Sequence, residues 1–340
     1  MICKSTPSPG VLDEELESEV SIQDVRAAQG IVGELLWLSC RTRPDLSFGV
    51  SWMGRMVTRA PRRACCYGEH MLGYLKSTYD MALHYGLCEG GHGEDSELAF
   101  SRSMLRLEVR SDASFGPAGG RGHQGLIAMY GGCPIQWESK QQAFRTLSTS
   151  ESELLGYTDA MTLGETMSSV LNTLESNKLS EEGDKVLYGD YQSGLRLLES
   201  PDGPWRTRHL RLRSFVLRVR MKWGLWKGRH VPGAQLASDL LKKAVTSMPS
   251  WTKFYNFMSM YRLNEFGAAE SSSCTEGRVT AKVAGAALAA IIGLTVVTTM
   301  PKEAELTKVA CAGGVAALTA WLVKKLGPGG IKNVVREDPN

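Results

Sequence analysis

The sequence predicts an α/β domain with a mixed sheet over residues 104–246, and three observations indicate it. Apolar residues alternate with polar ones over 105–112, as they do in a half-buried strand. Two further apolar runs share a Gly-Gly turn within 125–138, which is a hairpin signal. A long helical segment follows over 150–174, so the chain changes from strands to helices, as an α/β domain requires.

The second half of this domain alternates shorter elements. A short apolar run at 186–188 predicts a strand, and a helix is expected after Asp190. Residues 207–223 predict an amphipathic helix, whose apolar positions are Leu212, Phe215, Val216, Val219 and Trp223. A last strand over 228–231 and a last helix over 235–245 complete the order β-β-β-α-β-α-α-β-α, with helices flanking the sheet.

The flanking regions differ in composition from this domain. We predict, in chain order, a loose polar leader (1–24), a small helical segment (25–87), a Gly-rich linker (88–103), a helix with a Ser-rich linker (247–280), a pair of apolar helices forming a C-terminal helical hairpin (281–325) and a tail (326–340).

The C-terminal pair leaves two interpretations open. Val283–Met300 is 18 residues without a charge, close to the length that crosses a bilayer, whereas Val309–Val323 is shorter. Both stretches are rich in Ala and Gly, which insert weakly. The hairpin is therefore either a membrane anchor, with the membrane as a partner, or two helices packed on each other in water.

Charge and cysteine content bear on the cellular compartment of the protein and do not indicate its function. The formal net charge is only +3, so the distribution of charge matters more than its sum. The eight cysteines are scattered and form no C-x-x-C pair, which favours a reducing compartment. No apolar core of a signal peptide is present at the N-terminus, and we expect an intracellular protein, cytoplasmic or nuclear unless the hairpin is membrane-bound.

Three acids stand where predicted elements begin or end. Asp112 follows a strand, Glu153 lies near the start of the long helix, and Asp190 follows another strand. Acids so placed can converge in an α/β layer and hold hard cations such as Mg²⁺ or Mn²⁺. Two such ions about 3.5–4 Å apart can stabilise the attacking and leaving oxygens of a phosphodiester cleavage.

Each acid also has a structural interpretation. Asp112 fits a turn after a strand, and Asp190 fits a helix N-cap. Glu153 completes a capping box with Ser150, but Ser148 and the acid at 151 form a second, overlapping box. If Ser148 is the true cap, Glu153 is free to face the sheet.

A basic stretch with aromatic residues follows the third acid. Residues 205–230 contain no acid, and their Lys and Arg residues are Arg206, Arg208, Arg211, Arg213, Arg218, Arg220, Lys222, Lys227 and Arg229. Trp205, Trp223 and Trp226 lie among them, and His209 is adjacent. Cations for phosphates and aromatic faces for bases favour nucleic-acid contact over a merely solvated helix face.

A series of short motifs resembles copia-type retrotransposon polyproteins, in order, over about residues 25–246. Residues 33–45 (GELLWLSCRTRPD) and 74–78 (YLKST) resemble the end of their reverse transcriptase. The following segments resemble their ribonuclease H motifs: 111–116 (SDASFG), 134–140 (PIQWESK), 147–153 (LSTSESE), 189–192 (GDYQ), 206–209 (RTRH) and 231–237 (VPGAQLA).

The resemblance implies a ribonuclease H-like fold that cleaves the RNA strand of an RNA–DNA hybrid with Mg²⁺ or Mn²⁺. It carries the first three acids over to Asp112, Glu153 and Asp190. The family's fourth aspartate falls on Ser238, and Asp239 comes one residue later, about 100° around a helix. His230 is either a mobile general acid/base or a solvated histidine.

The same resemblance implies that residues 25–87 are the helical remnant of a reverse transcriptase C-terminal region. The chain contains no Asp-Asp pair, so we expect no polymerase activity. Other parts of a retroelement polyprotein are expected partners. The expected function is hybrid ribonuclease, or alternatively a degenerate fragment that binds nucleic acid without cutting it.

Overall fold

A computed structural model describes residues 6–7, 19–85, 106–116, 120–174, 185–199 and 208–262. These residues form two compact units. The first unit contains the N-terminal helices together with 244–255 and 259–262, and the second, an α/β unit, runs to residue 243 and includes 256–258.

Three helices form the N-terminal part of the first unit. Helix α1 (Ile22–Arg41) begins where the Ser21 hydroxyl accepts the amide of Asp24. A 3₁₀ turn (Pro44–Leu46) leads into α2 (Ser47–Met56), and α3 (Pro61–Ser77) follows. Their apolar faces enclose two buried clusters, and the larger one includes Leu35, Leu46, Met53 and Met71.

The chain then forms a short strand, β1 (Met81–Leu83), where the sequence pattern predicted continued helix to residue 87. This prediction was wrong because the partner that makes these residues a strand lies far away in the sequence. The predicted linker over 88–103 lies outside the described residues, as do 8–18 of the predicted leader.

The α/β unit begins with three antiparallel strands. Strands β2 (Leu107–Ala113), β3 (His123–Tyr130) and β4 (Cys133–Gln141) pair in sequence order, and Gly131 and Gly132 turn between β3 and β4 with positive φ. The long helix α4 (Thr149–Leu174) then packs across β2 and β3.

The remaining elements complete a five-stranded sheet in the order β4-β3-β2-β5-β6. They are β5 (Lys185–Gly189), α5 (Gln192–Glu199), α6 (Arg208–Lys222) and β6 (Lys227–His230). Strand β5 runs parallel to both β2 and β6, so the sheet is mixed. The predicted α/β class with a mixed sheet is confirmed. Its core gathers apolar residues of the sheet and α4, with Trp226 buried among them.

The segment after β6 corrects a second prediction. Instead of a helix over 235–245, the structure has two short 3₁₀ turns, Gly233–Gln235 and Ala237–Leu241. Leu236 between them has an extended backbone, with φ −87° and ψ 103°, and this interrupts the helical hydrogen bonding.

Helix α7 (Met248–Phe257) and strand β7 (Met260–Arg262) follow. Strand β7 pairs antiparallel with β1, with Ala82 opposite Tyr261. The Tyr255 hydroxyl lies 2.7 Å from that of Tyr74, so this late segment completes the first unit rather than leading away from it.

Within the described ranges, none of the helices combines the length and apolar character needed to cross a membrane. The predicted apolar pair over 281–325, the Ser-rich linker before it and the tail over 326–340 lie outside the described residues.

Candidate metal centre and basic surface

Asp112 lies in β2, the central strand of the sheet, next to the end of that strand. It is fully buried and stands opposite Gly125 of β3. A carboxylate in this position is costly to bury without partners, so its surroundings indicate what it binds.

Asp190 directly follows β5, the parallel neighbour of β2, so the two acids reach the same edge of the sheet. Its backbone is held on two sides, because the Tyr157 hydroxyl accepts the amide of Tyr191 at 3.2 Å and the Gly189 carbonyl accepts the amide of Val231 at 3.0 Å. A Cβ on Gly189 would lie only 2.2 Å from the Tyr157 hydroxyl, so this close approach requires glycine.

Glu153 reaches the site from the first turns of α4. The Ser148 hydroxyl accepts the amide of Glu151 at 3.2 Å, and the Glu151 carboxylate accepts the amide of Leu147 at 2.6 Å. Ser148 is therefore the cap, and Ser150 instead lies 2.6 Å from the Tyr191 hydroxyl. Because Glu151 serves the helix terminus, Glu153 is free to face the sheet.

The structure brings Asp112, Glu153 and Asp190 together, with one carboxylate oxygen of each within 4.8 Å of the others. Asp112 and Glu153 are buried, and Asp190 is partly exposed. In the part of the chain that the structure describes, Oδ2 of Asp112 and Oε2 of Glu153 are buried without a hydrogen-bond partner. Unsatisfied buried oxygens of this kind are hard donors that suit a divalent cation.

Two carboxyl groups of the cluster, those of Asp112 and Glu153, resist ionisation. Burial raises the pKa of Asp112 to about 7; the Lys242 ammonium opposes the rise, and Asp190 and Asp239 add to it. Burial also raises the pKa of Glu153 to about 9, with further contributions from Asp112 and Asp190. A divalent cation would offset both the burial and the mutual repulsion of these charges.

These shifts predict how the stability of the metal-free protein depends on pH. The ordinary values of 3.8 and 4.5 apply to the unfolded chain, so between these and about 7 and 9 the folded state binds more protons. Raising the pH through this window therefore lowers the free energy of unfolding. We expect the melting temperature measured in chelator to fall from pH 5 to pH 9, and to fall less in Glu153→Gln. A midpoint that rises over this range, or an equal slope in the variant, would contradict the prediction.

The fourth acid does not join the cluster. Asp239 lies on the second 3₁₀ turn and binds Lys243 at 2.6 Å and Lys242 at 3.5 Å. Ser238 is fully buried, and its hydroxyl has no hydrogen-bond partner among the described residues. Lys242, which the sequence interpretation missed, contacts Oδ1 of Asp112. Its i, i+3 spacing from Asp239 is a signal that could have drawn attention to it.

His230 ends β6 at the same edge of the sheet. Its Nε2 lies 3.1 Å from the backbone carbonyl oxygen of Asp190, and its side chain is exposed. It is therefore next to the cluster in space without contacting the carboxylates through that nitrogen.

The predicted basic stretch is only partly described. Arg206 lies outside the described residues, and Arg208, His209, Arg211 and Arg213 lie on α6 with side chains that are not described. Arg218 is half-buried. Arg220 is paired with Glu165 of α4, with Nη2 2.7 Å from Oε2, so its charge is compensated. The exposed cations are Lys222, Lys227 and Arg229.

The inward face of α6 differs from the predicted one. Phe215, Val216 and Trp223, which the pattern placed on the apolar face of this helix, are exposed, Trp223 to 72%. Ser214, Leu217 and Met221 face the core instead.

Trp226 was grouped with the aromatic residues of the basic stretch, but the structure places it in the core. It packs so closely on α4 that a Cβ at Gly164 would lie 2.4 Å from its ring. The described basic surface thus presents Trp223 and Phe215, and not Trp226, to solvent.

The α/β unit gathers three carboxylates at one sheet edge, so it is a candidate metal-binding domain. Proteins similar to the chain come from transposons. The chain is 32% identical, over 123 residues, to a Saccharomyces cerevisiae protein of transposon Ty5-1, and the match covers 35% of each. It is 26% identical over 257 residues to the retrovirus-related Pol polyprotein from transposon RE1 of Arabidopsis thaliana, covering 74% of the chain and 16% of the relative.

A third relative is the retrovirus-related Pol polyprotein from transposon TNT 1-94 of Nicotiana tabacum, 25% identical over 214 residues, with 63% of the chain and 15% of the relative covered. No protein-family model matches the chain. The chain spans 35% or less of the length of these three relatives. It is thus similar to a part of retrotransposon polyproteins.

Proposed function

We propose that residues 104–246 form a ribonuclease H-like domain of a copia-type retroelement polyprotein, which cleaves the RNA strand of RNA–DNA hybrids with Mg²⁺ or Mn²⁺. The observation that carries the proposal is the convergence of Asp112, Glu153 and Asp190 at one sheet edge. The similarity to Pol polyproteins of transposons supports the setting.

The residues present fit a divalent cation. Asp112, Glu153 and Asp190 offer only oxygen donors, and two of their buried oxygens have no hydrogen-bond partner among the described residues. When bound, such a cation stabilises negative charge on phosphate oxygens and lowers the pKa of water. The chain itself contributes the fixed orientation of the carboxylates, because Ser148 caps α4 and Tyr157 holds the backbone beyond Asp190.

Exposed residues of α6, of β6 and of the turn between them would hold the substrate. Lys222, Lys227 and Arg229 are exposed cations suited to a phosphate backbone. Exposed Trp223 offers an aromatic face for stacking. A hybrid is the favoured substrate because its 2′-hydroxyls mark the RNA strand in a wide minor groove.

His230 is proposed as a proton carrier at the edge of the site. Its ring is exposed to solvent and anchored by Nε2 near the Asp190 carbonyl. A histidine so placed can exchange protons between substrate and water. Other parts of the polyprotein, including its polymerase, would supply the hybrid.

The proposal is tested with the full chain and an end-labelled RNA strand, presented either in a hybrid with DNA or alone. We expect Mg²⁺-dependent cleavage of the RNA in the hybrid, little cleavage of the single strand, and loss of cleavage in chelator. Equal cleavage of both forms, or cleavage that survives chelation, would refute a hybrid-specific metal nuclease.

A second candidate function is nucleic-acid binding without cleavage. It is favoured by the position of Asp239, which is paired with lysines rather than joined to the other acids. In that case the wild-type protein would bind the hybrid with salt-dependent affinity and leave it intact at every metal concentration.

A further inference from the structure

Lys242 is a partly buried cation of the α/β unit that contacts the acid cluster. Its ammonium touches Oδ1 of Asp112 and lies 3.5 Å from Oδ1 of Asp239. Only 15% of its side chain is exposed, whereas its neighbour Lys243 is 54% exposed and contacts only the outer acid, Asp239, among the described ion pairs.

The backbone holds Lys242 in this place. The 3₁₀ turn before it packs directly on β3, since a Cβ at Gly125 would lie 2.3 Å from the Ser238 carbonyl oxygen. The Ser139 hydroxyl donates to the Leu241 carbonyl at 2.6 Å from the neighbouring strand β4. The lysine is thereby fixed opposite Asp112 by two strands, and it is not a surface side chain that happens to reach inward.

The charges around Asp112 attract a divalent cation, and Lys242 weakens that attraction. When ionised, the acids Asp112, Glu153, Asp190 and Asp239 carry −4, and Lys242 and Lys243 carry +2, which leaves −2. The Lys242 ammonium also repels any cation that approaches Asp112 at close range.

The Lys242 ammonium contacts only some of the carboxylate oxygens that a metal ion could use. Lys242 occupies Oδ1 of Asp112, while Oδ2 of the same residue and Oε2 of Glu153 have no hydrogen-bond partner among the described residues. A cation at the cluster can use the unpartnered oxygens at once. It gains the remaining oxygen of Asp112 only if the ammonium withdraws.

We propose that Lys242 is an internal counter-cation that competes with divalent metal for Asp112 and so weakens metal binding in the absence of nucleic acid. This inference rests on the proposed metal-binding role of the cluster. It makes Lys242 a positioning residue, whose withdrawal from Asp112 accompanies metal loading.

The test is a Mn²⁺ titration of the full chain without nucleic acid, followed by calorimetry and by the electron paramagnetic resonance signal of free Mn²⁺. Lys242→Met is expected to bind Mn²⁺ about tenfold more tightly or better, an effect of the size seen for groups beside metal ligands. The matched control Lys243→Met, which removes an equal charge from Asp239, is expected to stay close to wild type. Equal affinities in wild type and Lys242→Met, or equal gains in both variants, would overturn the proposal.

A measurement on the wild-type chain avoids dependence on a folded variant. Lysine acetylation followed by mass spectrometry is expected to modify Lys242 slowly in chelator and faster with Mn²⁺, while the reactivity of Lys243 changes little. No change at Lys242 on adding Mn²⁺ would overturn the proposal. Because neither readout uses nucleic acid, a chain that cuts no hybrid but gains Mn²⁺ affinity on Lys242→Met would refute only the proposed nuclease.

Discussion

Asp112→Asn is expected to abolish metal-dependent cleavage of an RNA–DNA hybrid. The substitution keeps the shape of the side chain but removes the charge at the centre of the cluster, where Asp112 lies closest to Lys242. A metal contributes several kcal/mol of transition-state stabilisation. Losing this stabilisation would lower the cleavage rate by a factor on the order of a thousand. Initial rates on an end-labelled hybrid at saturating Mg²⁺ measure it.

Asp159→Asn is the matched control for this variant. Asp159 is also an acid of the α/β unit, but its carboxylate pairs with Lys140 at 3.2 Å rather than with the cluster. Its rate should stay near that of wild type. Cleavage by Asp112→Asn at a rate comparable to the control, with both variants folded by circular dichroism, would exclude the proposed role of Asp112.

Asp45→Ala is expected to destabilise the first unit by about 3–5 kcal/mol, the cost of leaving a buried charge without its partner. Arg43 and Asp45 are almost fully buried, and two hydrogen bonds of 3.0 and 2.7 Å join them. The Tyr74 hydroxyl also donates to Asp45 at 2.6 Å and would lose its acceptor. Urea unfolding, followed by the fluorescence of the first unit, measures the change in midpoint and slope.

Arg62→Ala breaks an ion pair of similar length at the surface, because Arg62 binds Asp24 at 2.9 Å and is 65% exposed. This control should cost less than about 1 kcal/mol. If Asp45→Ala costs no more than Arg62→Ala, the buried pair does not carry the stability that its geometry indicates.

The sheet and the meeting of three acids could be predicted because both depend on local order. The hairpin turn at Gly131 and Gly132 fixes two strands, and the acids follow elements whose ends share one sheet edge. The choice between Ser148 and Ser150 as the cap of α4 could not be made from sequence. It depends on Tyr191, more than forty residues away, which engages Ser150.

The orientation of α6 illustrates a different limit. Apolar residues occur on several sides of this helix, so its pattern allows more than one inward face. The structure selects the face of Leu217, which packs in the same core as Trp226, the residue just before β6. The hydrophobic pattern therefore predicted the helix correctly but did not predict which of its faces points to the core.

Lys242 and Arg43 were missed for a shared reason. Each is a basic residue close in sequence to an acid, and such neighbours are common at protein surfaces. The ion pair has a large effect here because it is buried, which the sequence does not reveal. The 3₁₀ turns before Lys242 also depend on the extended backbone of Leu236. A leucine does not by itself predict an extended backbone at this point.

The pairing of β1 with β7 has a consequence for biosynthesis. Arg262, at the end of β7, is bound to Asp80 across 182 positions of sequence, with the whole α/β unit encoded between them. At about 5–20 residues per second, a ribosome needs roughly ten to forty seconds to cover that distance. The inserted unit can therefore mature first, and during that time the edge of β1 is unpaired and open to pairing with another chain.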